Sequence, residues 1–195
     1  MKVADAVAHI LKAEGVEFLF AYPVNYLIEA AAQLDIRPII VRQERIGLHM
    51  ADAVGRLTSG AQVGVFAMQH GPGAENAFGG IAQAYGESAP VLALPMGYAR
   101  SVAQVQPNFS AALNYRHVVK SAETLPYAQA VSDVMRRAFA ALRTGRPRPA
   151  VVEIPTDLMS AEHPEPLHYR PVRPSRYAPD PAQVQAVAAA LRSAA

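Results

Sequence analysis

Val63-Gly64-Val65-Phe66-Ala67-Met68, then Gly71-Pro72-Gly73, then Pro90-Val91-Leu92-Ala93-Leu94 form the stretch on which the fold turns. Two continuous apolar runs of strand length flank a segment of helical composition that Gly71-Pro72-Gly73 opens and that runs through Ile81 and Tyr85. A strand with one wet face alternates polar and apolar residues, so runs this uniformly apolar belong to a sheet covered on both faces. The helix between them is the crossover that joins parallel neighbours.

The same rhythm extends in both directions. Upstream, Val3, Val7, Ile10 and Leu11 recur at helical spacing and Gly15 closes the helix. Phe18–Ala21 is a strand, Tyr22-Pro23-Val24-Asn25 breaks it, and Tyr26 to Leu34 returns to helix before the strand Pro38–Val41. From Glu44, the residues Ile46, Met50, Ala53, Val54 and Leu57 share a helical face that ends at Ser59-Gly60, with Asp52 and Arg56 spaced to pair. Downstream, residues 97–120 read as a mixed loop with room for a short helix. Ala128, Val131, Met135, Ala138, Phe139 and Leu142 then mark an amphipathic helix, which Gly145-Arg146-Pro147 ends before the strand Ala150–Ile154. The expected fold is α/β: a three-layer α/β/α domain over residues 1–160 with a mostly parallel central sheet.

Pro164, Pro166, Pro171, Pro174 and Pro179 punctuate residues 161–179, which read as a linker. Val184, Val187 and Leu191 place a helix over 180–195 with nothing left to cover its apolar side, the expected start of a truncated next domain.

Composition limits the function. The 195 residues are 51% hydrophobic and 17% charged, which suits a folded chain, and the net charge of +2 is spread without a block that would make a nucleic-acid or lipid footprint. The absence of cysteine excludes disulfides, thiolate metal sites and a cysteine nucleophile. His163 and His168 lack zinc spacing, no Gly-x-Ser-x-Gly elbow supports a hydrolase, and no Gly-x-Gly-x-x-Gly supports a dinucleotide site. No signal peptide or membrane-length apolar run is visible, and the chain is read as cytoplasmic.

Ligands of such sheets bind beyond the strand carboxyl ends, so the loops at Pro23, Glu44, Gly71 and Met96 share one rim. Glu44 there is either an acidic group favoured by a helix N-terminus or a ligand-facing carboxyl. Gly71-Pro72-Gly73 is either a tight turn or a phosphate cradle, although Pro72 removes an amide that a cradle would use. Gln69 and His70 point polar groups to the rim, and Asn76 is a ligand-facing amide or an ordinary helix-surface residue.

Taken in order, Val41-Arg42-Gln43-Glu44 through Arg56, Gly71-Pro72-Gly73-Ala74-Glu75-Asn76, Ala89-Pro90-Val91 and Gly145 through Asp157 resemble the pyrimidine-binding domain of thiamine diphosphate enzymes. The similar branch is that of acetolactate synthase and benzoylformate decarboxylase. The resemblance runs from Val3 to about Leu158. It implies that Glu44 hydrogen-bonds the aminopyrimidine of thiamine diphosphate, favouring the imino tautomer whose exocyclic nitrogen removes the thiazolium proton. It also implies that Pro23, Gly73 and Asn76 line the pyrimidine pocket while Asn25, Gln69 and His70 face a 2-keto acid substrate. The implied activity is a lyase or synthase, acting by decarboxylation or carboligation. Its Mg²⁺ is held by a diphosphate-binding domain whose Gly-Asp-Gly this chain lacks; the chain alone is expected to be inactive and to carry no metal site. A homodimer or homotetramer, with no nucleic-acid or membrane partner, completes the expectation. The alternative is a non-catalytic dimerising module of the same fold. Three departures touch substrate identity: Pro23-Val24 replaces a usual Pro-Gly, Gln69-His70 a usual Thr-Ser, and Phe109-Ser110-Ala111 a Phe-Gln-Glu; Lys120 fits the pattern.

Overall fold

The first helix, α1 (Val3–Ala13), buries Val3, Val7, Ile10 and Leu11 and delivers the chain to strand β1 (Phe18–Ala21). These elements come from a computed structural model that describes residues 1–164, 166–173 and 178–194; Pro174 of the expected linker and the terminal Ala195 lie outside them. The order continues with α2 (Leu27–Ala32), β2 (Arg37–Ile40), α3 (Glu44–Leu57), β3 (Gly64–Met68), α4 (Pro72–Gly86) and β4 (Val91–Gly97). Then come α5 (Ala111–Tyr115), β5 (Ser121–Thr124), a 3₁₀ turn (Ala128–Ala130), α6 (Val131–Arg143), β6 (Ala150–Pro155), α7 (Thr156–Met159) and α8 (Pro181–Ser193).

The six strands form one sheet in the order β2-β1-β3-β4-β6-β5, and every pairing is parallel. Connections that step one way across the sheet carry α3, α4 and α5, and those that step back carry α2 and α6. Because crossovers between parallel strands are right-handed, the two groups must cover opposite faces. The core shows this directly. Leu19, Val65, Leu92 and Val152 pack with α1, α2 and α6, whereas Phe20, Phe66, Ala93 and Val151 pack with Leu48, Ala77 and Ile81 of α3 and α4. Alternate residues of each strand thus feed alternate layers, which explains the uninterrupted apolar runs. The three-layer α/β/α expectation holds.

Two local differences stand out. β5 is an additional strand between the segment read as a loop, residues 97–120, and the helix after it; among the described residues it pairs only with β6. The start of the proline-rich segment lies against the domain: Glu162 bridges Lys2, the His163 amide donates to the Met1 carbonyl at 2.7 Å, and Leu167, Tyr169 and Val172 pack on the core. No residue of α8 is buried, and no helix among the described residues is long and apolar enough to cross a membrane.

Candidate active site

The connection after β1 runs to one side of the sheet and the connection after β3 to the other, so the carboxyl ends of these neighbours frame a topological switch point, where α/β sheets bind ligands. Asn25 stitches the crevice together. Its Nδ2 donates to the Met68 carbonyl at 3.2 Å and its Oδ1 accepts the Leu27 amide at 2.9 Å. Both ends of the side chain are therefore engaged in holding the β1 loop to the end of β3.

A concavity of about 470 Å³ opens over this seam, lined by Asn25, Tyr26, Glu29, His70, Met96 and Thr156 among others. His70 sits edge-on to Tyr98 with ring centroids 4.5 Å apart, and its buried Nδ1 has no hydrogen-bond partner. A buried polar atom left unpaired is costly unless a ligand or water satisfies it. Tyr98 also explains the preceding turn. Gly71 has φ +55°, and a Cβ there would lie 2.6 Å from the Tyr98 hydroxyl, so glycine is required twice over.

Glu44 begins α3 at the same rim and is only 3% exposed. A carboxylate at a helix N-terminus is favoured by the helix dipole, but burial to this degree calls for a partner. Asn76, one turn into α4, donates from Nδ2 to Glu44 Oε2 at 3.3 Å. A Cβ on Gly73 would lie 3.2 Å from Glu44 Oε1 and 2.5 Å from Gln69 Cγ. The carboxyl thus reaches across from the end of β2 to the turn after β3. A cleft of about 240 Å³ lined by Gln43, Glu44, Arg45 and Asn76 leads from it to solvent.

The predicted residues accordingly fall into two neighbouring groups on either side of the Gln69–Gly73 turn. Glu44, Gly73, Asn76 and Gln69 form one; Asn25 and His70 form the other. Pro23 stands exposed in the turn after β1 and lines neither concavity. Lys120 lies at the opposite, amino-terminal edge of the sheet. Its Nζ donates to the Thr144 and Arg146 carbonyls just past α6, and burial, aided by Arg148, lowers its pKa. That is a helix-end contact, remote from the rim.

Sequence reading did not single out Tyr98, Arg100 or Glu153. Glu153, in the middle of β6, is 5% exposed and accepts from Ser110 Oγ (2.9 Å), the Ala111 and Ala112 amides (2.9 and 3.2 Å) and Thr124 Oγ1 (3.1 Å). It fixes the start of α5 against β5 and β6. A charge inside a strand buried on both faces was the available signal. Nearby, Tyr115 is fully buried with its hydroxyl donating to the Ala74 carbonyl; burial, then Glu153, Glu75 and Glu44, hold its phenol protonated far above the ordinary range. No cluster of metal-ligating side chains occurs among the described residues.

Fold and rim together define a parallel α/β domain with a buried glutamate and a glycine-rich turn at its switch edge. Residues 1–119 match the family described as thiamine pyrophosphate enzyme, N-terminal TPP binding domain, and the chain belongs to that family. Similar proteins include the acetolactate synthase large subunit of Haemophilus influenzae, 32% identical over 179 residues, covering 85% of this chain and 30% of that protein. The acetolactate synthase isozyme 3 large subunit of Escherichia coli is 33% identical over 164 residues, covering 80% and 28%. The 2-hydroxyacyl-CoA lyase 2 of Bos taurus is 35% identical over 162 residues, covering 80% and 25%. The chain thus spans under a third of the length of these relatives.

Proposed function

We propose that this chain is the pyrimidine-binding part of a thiamine diphosphate-dependent lyase or synthase acting on a 2-keto acid. The single observation that supports it most is Glu44, buried at the rim, held by Asn76 and set against a glycine where any side chain would intrude. When bound, thiamine diphosphate supplies the electron sink for the carbanion left by decarboxylation. Glu44 holds and returns the proton at the aminopyrimidine ring nitrogen. The Asn76 amide orients Glu44 Oε2, and Gly73 lets Glu44 Oε1 and the Gln69 side chain close on the turn. Asn25 keeps the β1 and β3 loops in register, and His70 lines the concavity on the substrate side. Pro23 belongs to the same rim through the turn after β1.

The reading includes residues 1–160 as the pyrimidine domain, 161–179 as a linker, and 180–195 as the first helix toward a further domain. It also includes a diphosphate-binding partner domain that holds Mg²⁺, a homodimer or homotetramer, and a cytoplasmic setting. The names of the relatives, synthases and a lyase, favour carbon–carbon bond chemistry.

Calorimetry with thiamine diphosphate and Mg²⁺, with and without a diphosphate-binding domain supplied in the same chain or separately, tests the reading. With that domain present, Glu44→Gln should weaken binding at least tenfold and abolish turnover of 2-keto acids, while melting as the parent protein does. Unchanged turnover overturns the role of Glu44. No binding in either arrangement supports the assembly-module alternative.

A further inference from the structure

Beyond the His70 concavity, on the far side of Tyr98, the carboxyl ends of β4, β5 and β6 enclose a second cavity of about 290 Å³. Its apolar walls include Phe109, Leu125 and Pro126, and its polar walls include Tyr98, Arg100 and Ser110. Three features bear on what it would hold.

The first is the state of its cation. Arg100 is fixed by Asp157 through two hydrogen bonds, from its own backbone amide to Oδ1 at 3.0 Å and from Nε to Oδ2 at 2.7 Å. Both Nη atoms of the guanidinium remain without a hydrogen-bond partner among the described residues. An arginine held at Nε has already lost much of the rotamer freedom that binding would otherwise cost, and its outer nitrogens match the two oxygens of a carboxylate. The second is the neighbouring anion. Glu153, which also lines the cavity, has its two oxygens engaged by four donors. The third is the charge count. Asp157 offsets the charge on Arg100 and Glu153 is a second carboxylate at the wall, so the count disfavours a phosphate dianion. The apolar walls favour a hydrocarbon body beside the one group that the free Nη atoms can hold.

We propose that this cavity is a binding site for a small monocarboxylate with an apolar body, the carboxylate on the Arg100 Nη atoms and the body against Phe109, Leu125 and Pro126. The site is independent of Glu44 and needs no thiamine diphosphate, so its failure and the failure of the reading above are distinguishable.

The test is a chemical-shift titration of the chain with 3-phenylpropanoate, alongside 3-phenylpropanamide and inorganic phosphate, all without thiamine diphosphate. The acid should give saturable shifts at the amides of residues 97–110 and 124–125. The amide should bind at least tenfold more weakly, the scale of a charge-assisted hydrogen bond. Arg100→Gln should remove the preference for the acid, and Arg100→Lys should restore part of it. Ala103→Phe, which fills the cavity and leaves the Arg100–Asp157 pair alone, should abolish binding in a folded protein. Equal binding of acid and amide, shifts unchanged by either Arg100→Gln or Ala103→Phe, or tighter binding of phosphate than of the acid would each overturn the proposal.

Discussion

Glu14 and Arg143 form a buried ion pair that fastens the segment after the last strand to the body of the domain. The Glu14 side chain is fully shielded and that of Arg143 is 18% exposed. Arg143 Nη1 donates to Glu14 Oε2 and also to the Val172 carbonyl at 2.7 Å, while Nη2 donates to the Glu14 carbonyl at 2.8 Å. Glu14 Oε1 accepts from the Tyr169 hydroxyl and from the Val172 amide at 2.9 Å. Arg136 lies over the Tyr169 ring, 5.0 Å from its centroid, and donates to the Arg170 carbonyl at 3.1 Å. Residues 169–172 are thereby strapped across the ends of α1 and α6.

Removing either partner of this pair leaves the other shielded without its counter-charge. Glu14→Ala and Arg143→Ala should each cost about 3–5 kcal/mol of unfolding free energy, measured by urea denaturation. Each should also open residues 167–173 to limited proteolysis. The double variant should cost less than the sum of the two, because it leaves no orphaned charge. Strict additivity would show that the pair contributes little.

The strap should also loosen in alkali. Burial, then Glu14, raise the Tyr169 phenol above its ordinary range, near 10. The native state therefore favours the protonated form. Its contribution is complete below about pH 10, the unfolded-state value, and is lost as pH climbs through the higher native value. Tyr169→Phe lacks this titration, so its stability difference from the parent protein should narrow between about pH 10 and pH 12. A difference that stays constant across that interval would remove the phenol from the strap's energetics.

At the rim, Gly73→Ala pushes a methyl group against Gln69 and Glu44 and should cost about 1–3 kcal/mol, with the Glu44 and Asn76 resonances displaced. Asn76→Asp replaces a donor with a second carboxylate beside Glu44 Oε2. At pH 7 it should be less stable than Asn76→Ala by about 1 kcal/mol, and the gap should close as the pH is lowered enough to protonate the two carboxyls. Equal stability of the two variants at neutral pH would mean that Asn76 does not face Glu44 in solution.

Periodicity and turn chemistry in the sequence were enough for the α/β class, five of the six strands, the helices around them and the shared rim, because a doubly covered parallel sheet leaves runs such as Val63–Met68 and Val91–Leu94 with no polar interruption. β5 escaped notice because Ser121-Ala122-Glu123-Thr124 is a partly exposed edge strand and carries no apolar run to signal it. Glu44 was legible as a candidate by its place between strand and helix. Its burial, its contact with Asn76 and its approach to Gly73 join residues about thirty positions apart in the chain, and only folding brings those together. The same holds for Glu14 with Arg143 and Tyr169, for Arg100 with Asp157, and for Glu153 with Ser110: local patterns set which elements form, whereas the partner of a charged side chain is chosen by how the crossovers stack those elements in space.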